Sequence, residues 1–84
     1  MSYQLNKTDG TLLTDLIDGQ IDDTSTNLVL VGRNYTGYGE YFNENMIKLL
    51  ENFSNSAAPS NPLTGQIWWD TNEQRLKVYD GAVW

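Results

Sequence analysis

The closing stretch Gly65–Trp84, GQIWWDTNEQRLKVYDGAVW, constrains this chain more than any other feature. Side chains alternate between the two faces of a strand. Ile67 and Trp69 therefore share one face and Trp68 takes the other, with DTNEQ supplying turn residues. On the return strand Leu76 and Val78 share a face, with Lys77 and Tyr79 opposite. Asp80-Gly81 marks a second tight turn, and Val83 and Trp84 are expected to start a third strand. Such a ribbon has two apolar faces. An 84-residue chain has little else with which to cover both.

The usual reinforcements of a small core are missing. The chain has no cysteine, so no disulfide framework exists, and no histidine, which removes the commonest zinc ligand and the usual neutral-pH acid–base group. Large aromatic side chains (three Trp, five Tyr, two Phe) and association with other chains are what remain. A net charge of −6, with the cations scattered at Lys7, Arg33, Lys48, Arg75 and Lys77, argues against a nucleic-acid partner. No apolar run approaches the roughly 20 residues that span a bilayer, so membrane insertion is not expected. The start MSYQLNKTDG lacks a signal-peptide core, which points to synthesis in a cytoplasm. The sequons at Asn6, Asn34 and Asn52 then read as coincidence.

The rest of the chain divides readily. Residues 1–33 read as a hairpin region: Tyr3/Leu5 and Leu12/Leu13 with Leu16/Ile17 flank the turn signal Thr8-Asp9-Gly10, and Asp18-Gly19 is a second turn. Leu28–Val31 is a four-residue apolar run, expected to be a strand covered on both faces. Phe42, Met46, Leu49, Leu50 and Phe53 form one stripe of a helix expected from about Glu40 to Phe53, within the region 38–55. Glu44 and Lys48 are placed to pair across one turn. Pro59 and Pro62 are expected to end the helix, leaving 56–64 as an exposed linker before the aromatic hairpin of 65–84. The fold class is α+β: small antiparallel β-hairpins with one amphipathic helix packed against them, in one module spanning 1–84. Because the chain stops inside an expected strand, a longer protein or a neighbour that holds the terminus is anticipated.

Candidate chemistries fail on specifics. Gly32-x-x-x-x-Gly37 has phosphate-loop spacing, yet Tyr38 and Gly39 stand where Lys and Ser/Thr are required; the glycines instead suit turns or close packing before the helix. Asp15, Asp18, Asp22 and Asp23 do not follow a calcium-loop pattern. Paired-carboxylate catalysis needs a cleft that so short a chain cannot easily build. No cofactor, metal or catalytic residue is therefore assigned, and the chain is not expected to be an enzyme. Trp68, Trp69, Tyr79 and Trp84 are the candidate interface residues. The rival reading is a carbohydrate-binding module contacting glycan through Trp68, Trp69 and Trp84; a degraded hydrolase fragment is the weaker third.

The stretch also resembles a hairpin motif of tailed-bacteriophage structural proteins, G-x-[IL]-W-[YFW]-[DN]-T, a turn, then L-K-[VI]-[YW]-[DN]-G-x-x-W. Gly65, Ile67, Trp68, Trp69, Asp70, Thr71, Leu76, Lys77, Val78, Tyr79, Asp80, Gly81 and Trp84 meet every position. The hairpin recurs in many phage appendage proteins; together with NYTGYGE and LLENF it is similar to segments near the start of tail-fibre proteins of contractile-tailed phages, cyanophages especially. The resemblance runs from about Tyr3 to Trp84. It implies a virion structural module of a tail fibre or baseplate-associated protein, made in the host cytoplasm. Its implied partners are copies of itself, a trimer being favoured, and other tail or baseplate proteins, in an assembly or attachment role.

Overall fold

The computed structural model describes residues 1–84. Three two-stranded antiparallel sheets and one helix confirm the α+β class. Strand β1 (Ser2–Asn6) pairs with β2 (Leu12–Ile17) around Thr8-Asp9-Gly10. There the Asp9 carboxylate accepts the Thr11 N–H and hydroxyl and Gly10 takes φ +89°. A bulge beside Leu5 shifts the register, and Tyr3, Leu5, Thr14 and Leu16 share the inward face. Leu16 is the most buried side chain of the molecule.

Strands β3 (Ile21–Asp22) and β4 (Leu30–Val31) form the second sheet. The strand expected over Leu28–Val31 is thus shorter, and its residues are half-buried rather than enclosed. The cause lies in hydrogen bonding. The Val29 N–H donates to Asn45 Oδ1 at 2.9 Å and Asn45 Nδ2 donates to the Val29 carbonyl at 2.8 Å, so a side-chain amide takes the place of a neighbouring strand. Gly32 explains how β4 comes so near the turn at 17–20. A Cβ there would overlap the Ile17 carbonyl oxygen and lie 2.8 Å from that of Gln20.

Helix α1 (Tyr38–Leu50) starts where expected, after Gly37 at φ 90°, but ends five residues before 55. The prolines do not end it. Asn52 and Phe53 adopt left-handed φ of 53° and 54°, and the Phe53 N–H closes back on the Lys48 carbonyl at 2.8 Å. Released from the helix, residues 52–55 lie along β5 (Ile67–Asp70). The Trp69 N–H donates to the Asn52 carbonyl (2.9 Å), the Asn55 N–H to the Trp69 carbonyl (3.2 Å) and the Thr71 N–H to the Asn55 carbonyl (3.1 Å). Strand β6 (Arg75–Val78) pairs on the other side of β5. The expected Glu44–Lys48 ion pair does not form; Lys48 Nζ reaches the Asn27 carbonyl at 3.4 Å, because that side of the helix meets residues 27–29. In the 56–64 segment Pro59 and Asn61 to Leu63 are half-buried and the other residues are exposed.

The chain is thin. Its Cα extents are 43 × 27 × 16 Å and its radius of gyration is 13.9 Å, against about 12 Å for a compact domain of this length. Sixteen ångströms admit little more than one sheet or helix layer over another, since stacked layers sit about 10 Å apart. Only 5 of 84 residues are buried, Leu16 and Trp68 being the large apolar ones. No helix is long and apolar enough to cross a membrane.

Candidate functional site

The register of the C-terminal hairpin, Ile67↔Val78, Trp68↔Lys77, Trp69↔Leu76 and Asp70↔Arg75, sorts its side chains into two unlike faces. One carries Trp68, Asp70, Arg75 and Lys77, and on it Trp68 and Asp70 are covered by the chain itself. Trp68 is 6% exposed and its indole Nε1 donates to the Asn55 carbonyl at 3.1 Å. The ring of Trp84 stands edge-on to Trp68 at 5.4 Å and packs on Tyr79 at 5.2 Å. Val83 and Trp84 do not start a third strand. Asp80 closes the turn by accepting the Ala82 and Val83 N–H groups, both at 2.8 Å, and this swings Trp84 back over the hairpin.

Lys77 completes this face. Its Nζ lies 3.0 Å from Asp70 Oδ2, 2.7 Å from Glu73 Oε2 and 5.1 Å from the Trp68 ring centre. The Lys77 ammonium holds the Asp70 carboxyl below the ordinary carboxylate range, helped by the Glu73 and Asn72 N–H groups. Glu73 first and Asp70 second hold the Lys77 ammonium above its usual value. Although Asp70 is only 5% exposed, few atoms surround it in so thin a molecule, and its partners outweigh the desolvation that opposes them.

The opposite face is Ile67, Trp69, Leu76 and Val78, all apolar and each 37–55% exposed. More than a third of each side chain stays open to solvent. A second open surface runs along α1, where Phe42, Met46, Leu49 and Leu50 are 47–76% exposed and no residue of the helix is buried. The apolar stripe was expected to seat the helix on the hairpins. The helix is held instead by Asn45, Lys48 and its C-terminal extension, and the stripe is left facing solvent.

Of the four candidate interface residues, Trp68, Tyr79 and Trp84 thus cluster on the covered face and Trp69 stands alone on the open one. Trp68 and Trp69 point to opposite sides, so the three tryptophans do not form one platform. Sequence reasoning missed Asn45 and Asn55, whose roles depend on a helix and a turn meeting particular backbone groups. An apolar groove of about 480 Å3 lies between the N-terminal hairpin, β4 and the start of α1, lined by Leu5, Leu16, Val31, Tyr35, Tyr38 and Phe42 among others. Arg33 sits at its rim, 5.1 Å over the Tyr3 ring. Among the acids suspected of calcium binding, Asp22 accepts from Thr14, Thr24 and Ser25, whose hydroxyls and amides hold its carboxyl well below the ordinary range. No three acidic side chains converge as a metal-holding group.

No protein-family model matches the chain, and no curated protein or solved structure matches it.

Proposed function

We propose that the chain is a non-catalytic structural module that works by self-association and docking, as an assembly or attachment piece of a phage tail fibre or baseplate-associated protein. The observation that carries this is surplus surface. A folded monomer of 9.5 kDa exposes about 5,000 Å2, whereas this chain exposes 5839 Å2. The difference of about 800 Å2 matches what one partner contributes to a standard protein–protein interface. It is accompanied by two open apolar faces that no charged side chain interrupts.

The phage setting draws on the resemblance of Gly65–Trp84 to appendage hairpins, and on that reading the protein is made in the host cytoplasm and ends in the virion. Host glycan is the lesser reading, because the ring of Trp68 is covered by Trp84 and Lys77.

Light scattering after size exclusion, at two concentrations about thirtyfold apart, tests the self-association. A mass that is a multiple of 9.5 kDa and falls on dilution is expected; a constant 9.5 kDa refutes it. Antibody raised against the chain should label virion tails of the encoding phage in electron micrographs, and labelling absent from intact virions refutes the appendage setting.

A further inference from the structure

Building on the self-association proposed above, we infer that the copies meet head to tail: the helix stripe Phe42/Met46/Leu49/Leu50 of one chain seats on the hairpin face Ile67/Trp69/Leu76/Val78 of the next. Within one chain these two faces do not cover each other, since all eight residues are exposed. Each lacks a charged side chain, so neither requires an unpaired charge to be desolvated. Their shapes are also of complementary type, a ridge of helical side chains against a short twisted ribbon.

The areas agree. With about 200 Å2 for a large apolar side chain, the exposed fractions amount to roughly 360 Å2 on the hairpin and roughly 470 Å2 on the helix. Pairing one with the other buries about 800 Å2 of apolar surface. Interfaces are about 56–65% apolar, so the whole contact comes to about 1,300–1,500 Å2, inside the standard range of about 1,200–2,000 Å2. A two-fold contact of either face with itself buries about 700–900 Å2 of apolar surface and leaves the other face of both copies in water. The head-to-tail contact covers both faces of every copy when it closes into a ring.

The test uses two variants of the full chain, Trp69→Glu on the hairpin face and Leu50→Glu on the helix stripe. Both residues are exposed, and circular dichroism checks that each variant retains the wild-type fold. Each alone is expected to be a 9.5 kDa monomer. Mixed one to one, they retain one intact helix stripe and one intact hairpin face, and a dimer of twice that mass is expected. Wild type that associates while the mixture stays monomeric overturns the head-to-tail arrangement and leaves self-association standing. Loss of association in only one of the two variants overturns it too, as a two-fold contact would behave so. Wild type that never associates removes both.

Because the chain has no cysteine, Leu50→Cys and Leu76→Cys give a second, non-disruptive measurement. Disulfide-linked dimers are expected to form faster on mild oxidation of the mixture than of either variant alone. Self-linking of either variant as fast as linking in the mixture refutes the arrangement.

Discussion

Asn45 offers the sharpest test of how this fold holds together. Its side-chain amide makes two hydrogen bonds to Val29, accepting at 2.9 Å and donating at 2.8 Å, and so fixes β4 to the helix. Asn45→Leu keeps much of the volume and removes both bonds. Each such bond contributes about 0.5–1.5 kcal/mol net, and the half-buried Val29 N–H and carbonyl lose their partners as well, so the expected cost is about 2–3 kcal/mol. For a domain of this size that lowers the midpoint of thermal unfolding by roughly 8–24 °C, read by far-UV circular dichroism at fixed protein concentration. Asn45→Asp adds a sign. The charged carboxylate still accepts from the Val29 N–H but opposes the Val29 carbonyl, whereas the protonated acid both donates and accepts as the amide does. Folding therefore raises the pKa of the introduced carboxyl, and the variant's deficit relative to wild type should shrink as pH falls from 7 toward 4. A shift under about 2 °C for Asn45→Leu, or a pH-independent deficit for Asn45→Asp, would show that the amide does not hold β4 to the helix.

Gly32→Ala should destabilise by at least about 2 kcal/mol in urea titration, because its Cβ meets the Ile17 and Gln20 carbonyl oxygens; an unchanged midpoint would mean that β4 and the 17–20 turn are not so closely packed. Acid should unfold the protein through Asp22 and Asp70, both held below 3.8 in the folded state. The folded chain then binds fewer protons than the unfolded one, so this stability is present above about pH 4 and is lost as pH falls further. Urea midpoints should agree at pH 7 and 5 and drop at pH 3, and a flat profile contradicts the assignment. Trp84→Ala should uncover Trp68, red-shifting tryptophan emission and costing about 1–3 kcal/mol for two aromatic contacts. It should leave the mass in light scattering unchanged, and a fall in mass would place Trp84 between subunits.

Local chemistry accounts for what was legible in the sequence. Thr8-Asp9-Gly10 and Asp80-Gly81 both turn through an Asp side chain bonding its own backbone, and period-two alternation gave the parity of Ile67, Trp68 and Trp69. The helix start after Gly37 was equally local. What escaped was decided between elements. The apolar stripe of α1 follows the helical period through Phe53, yet Asn52 and Phe53 leave the helix so that Asn52 and Asn55 can bond β5, a choice that depends on a strand fourteen or more residues further on. A stripe normally marks the face turned to the core, and that expectation fails here because an Asn amide and a Lys ammonium bring the other side of the helix onto residues 27–29. That the two halves of the hairpin combine into one wholly apolar face required the register, set by the Asp70 carboxylate accepting the Asn72 and Glu73 N–H groups in the turn.

The run of residues 52–55 beside β5 carries a mechanical consequence. The two segments lie parallel, joined at Asn55 and Asp70. A pull that separates the helix from the tip of the hairpin therefore acts along the bonds' common seam, sliding one segment past the other. The three backbone bonds at Trp69 and Thr71 share that load at once and do not open one after another. Helix and C-terminal hairpin are therefore expected to move as a single stiff lever. The N-terminal hairpin has no such seam with them, so bending of the module under tension should concentrate where β4 meets the helix, at the Asn45 amide.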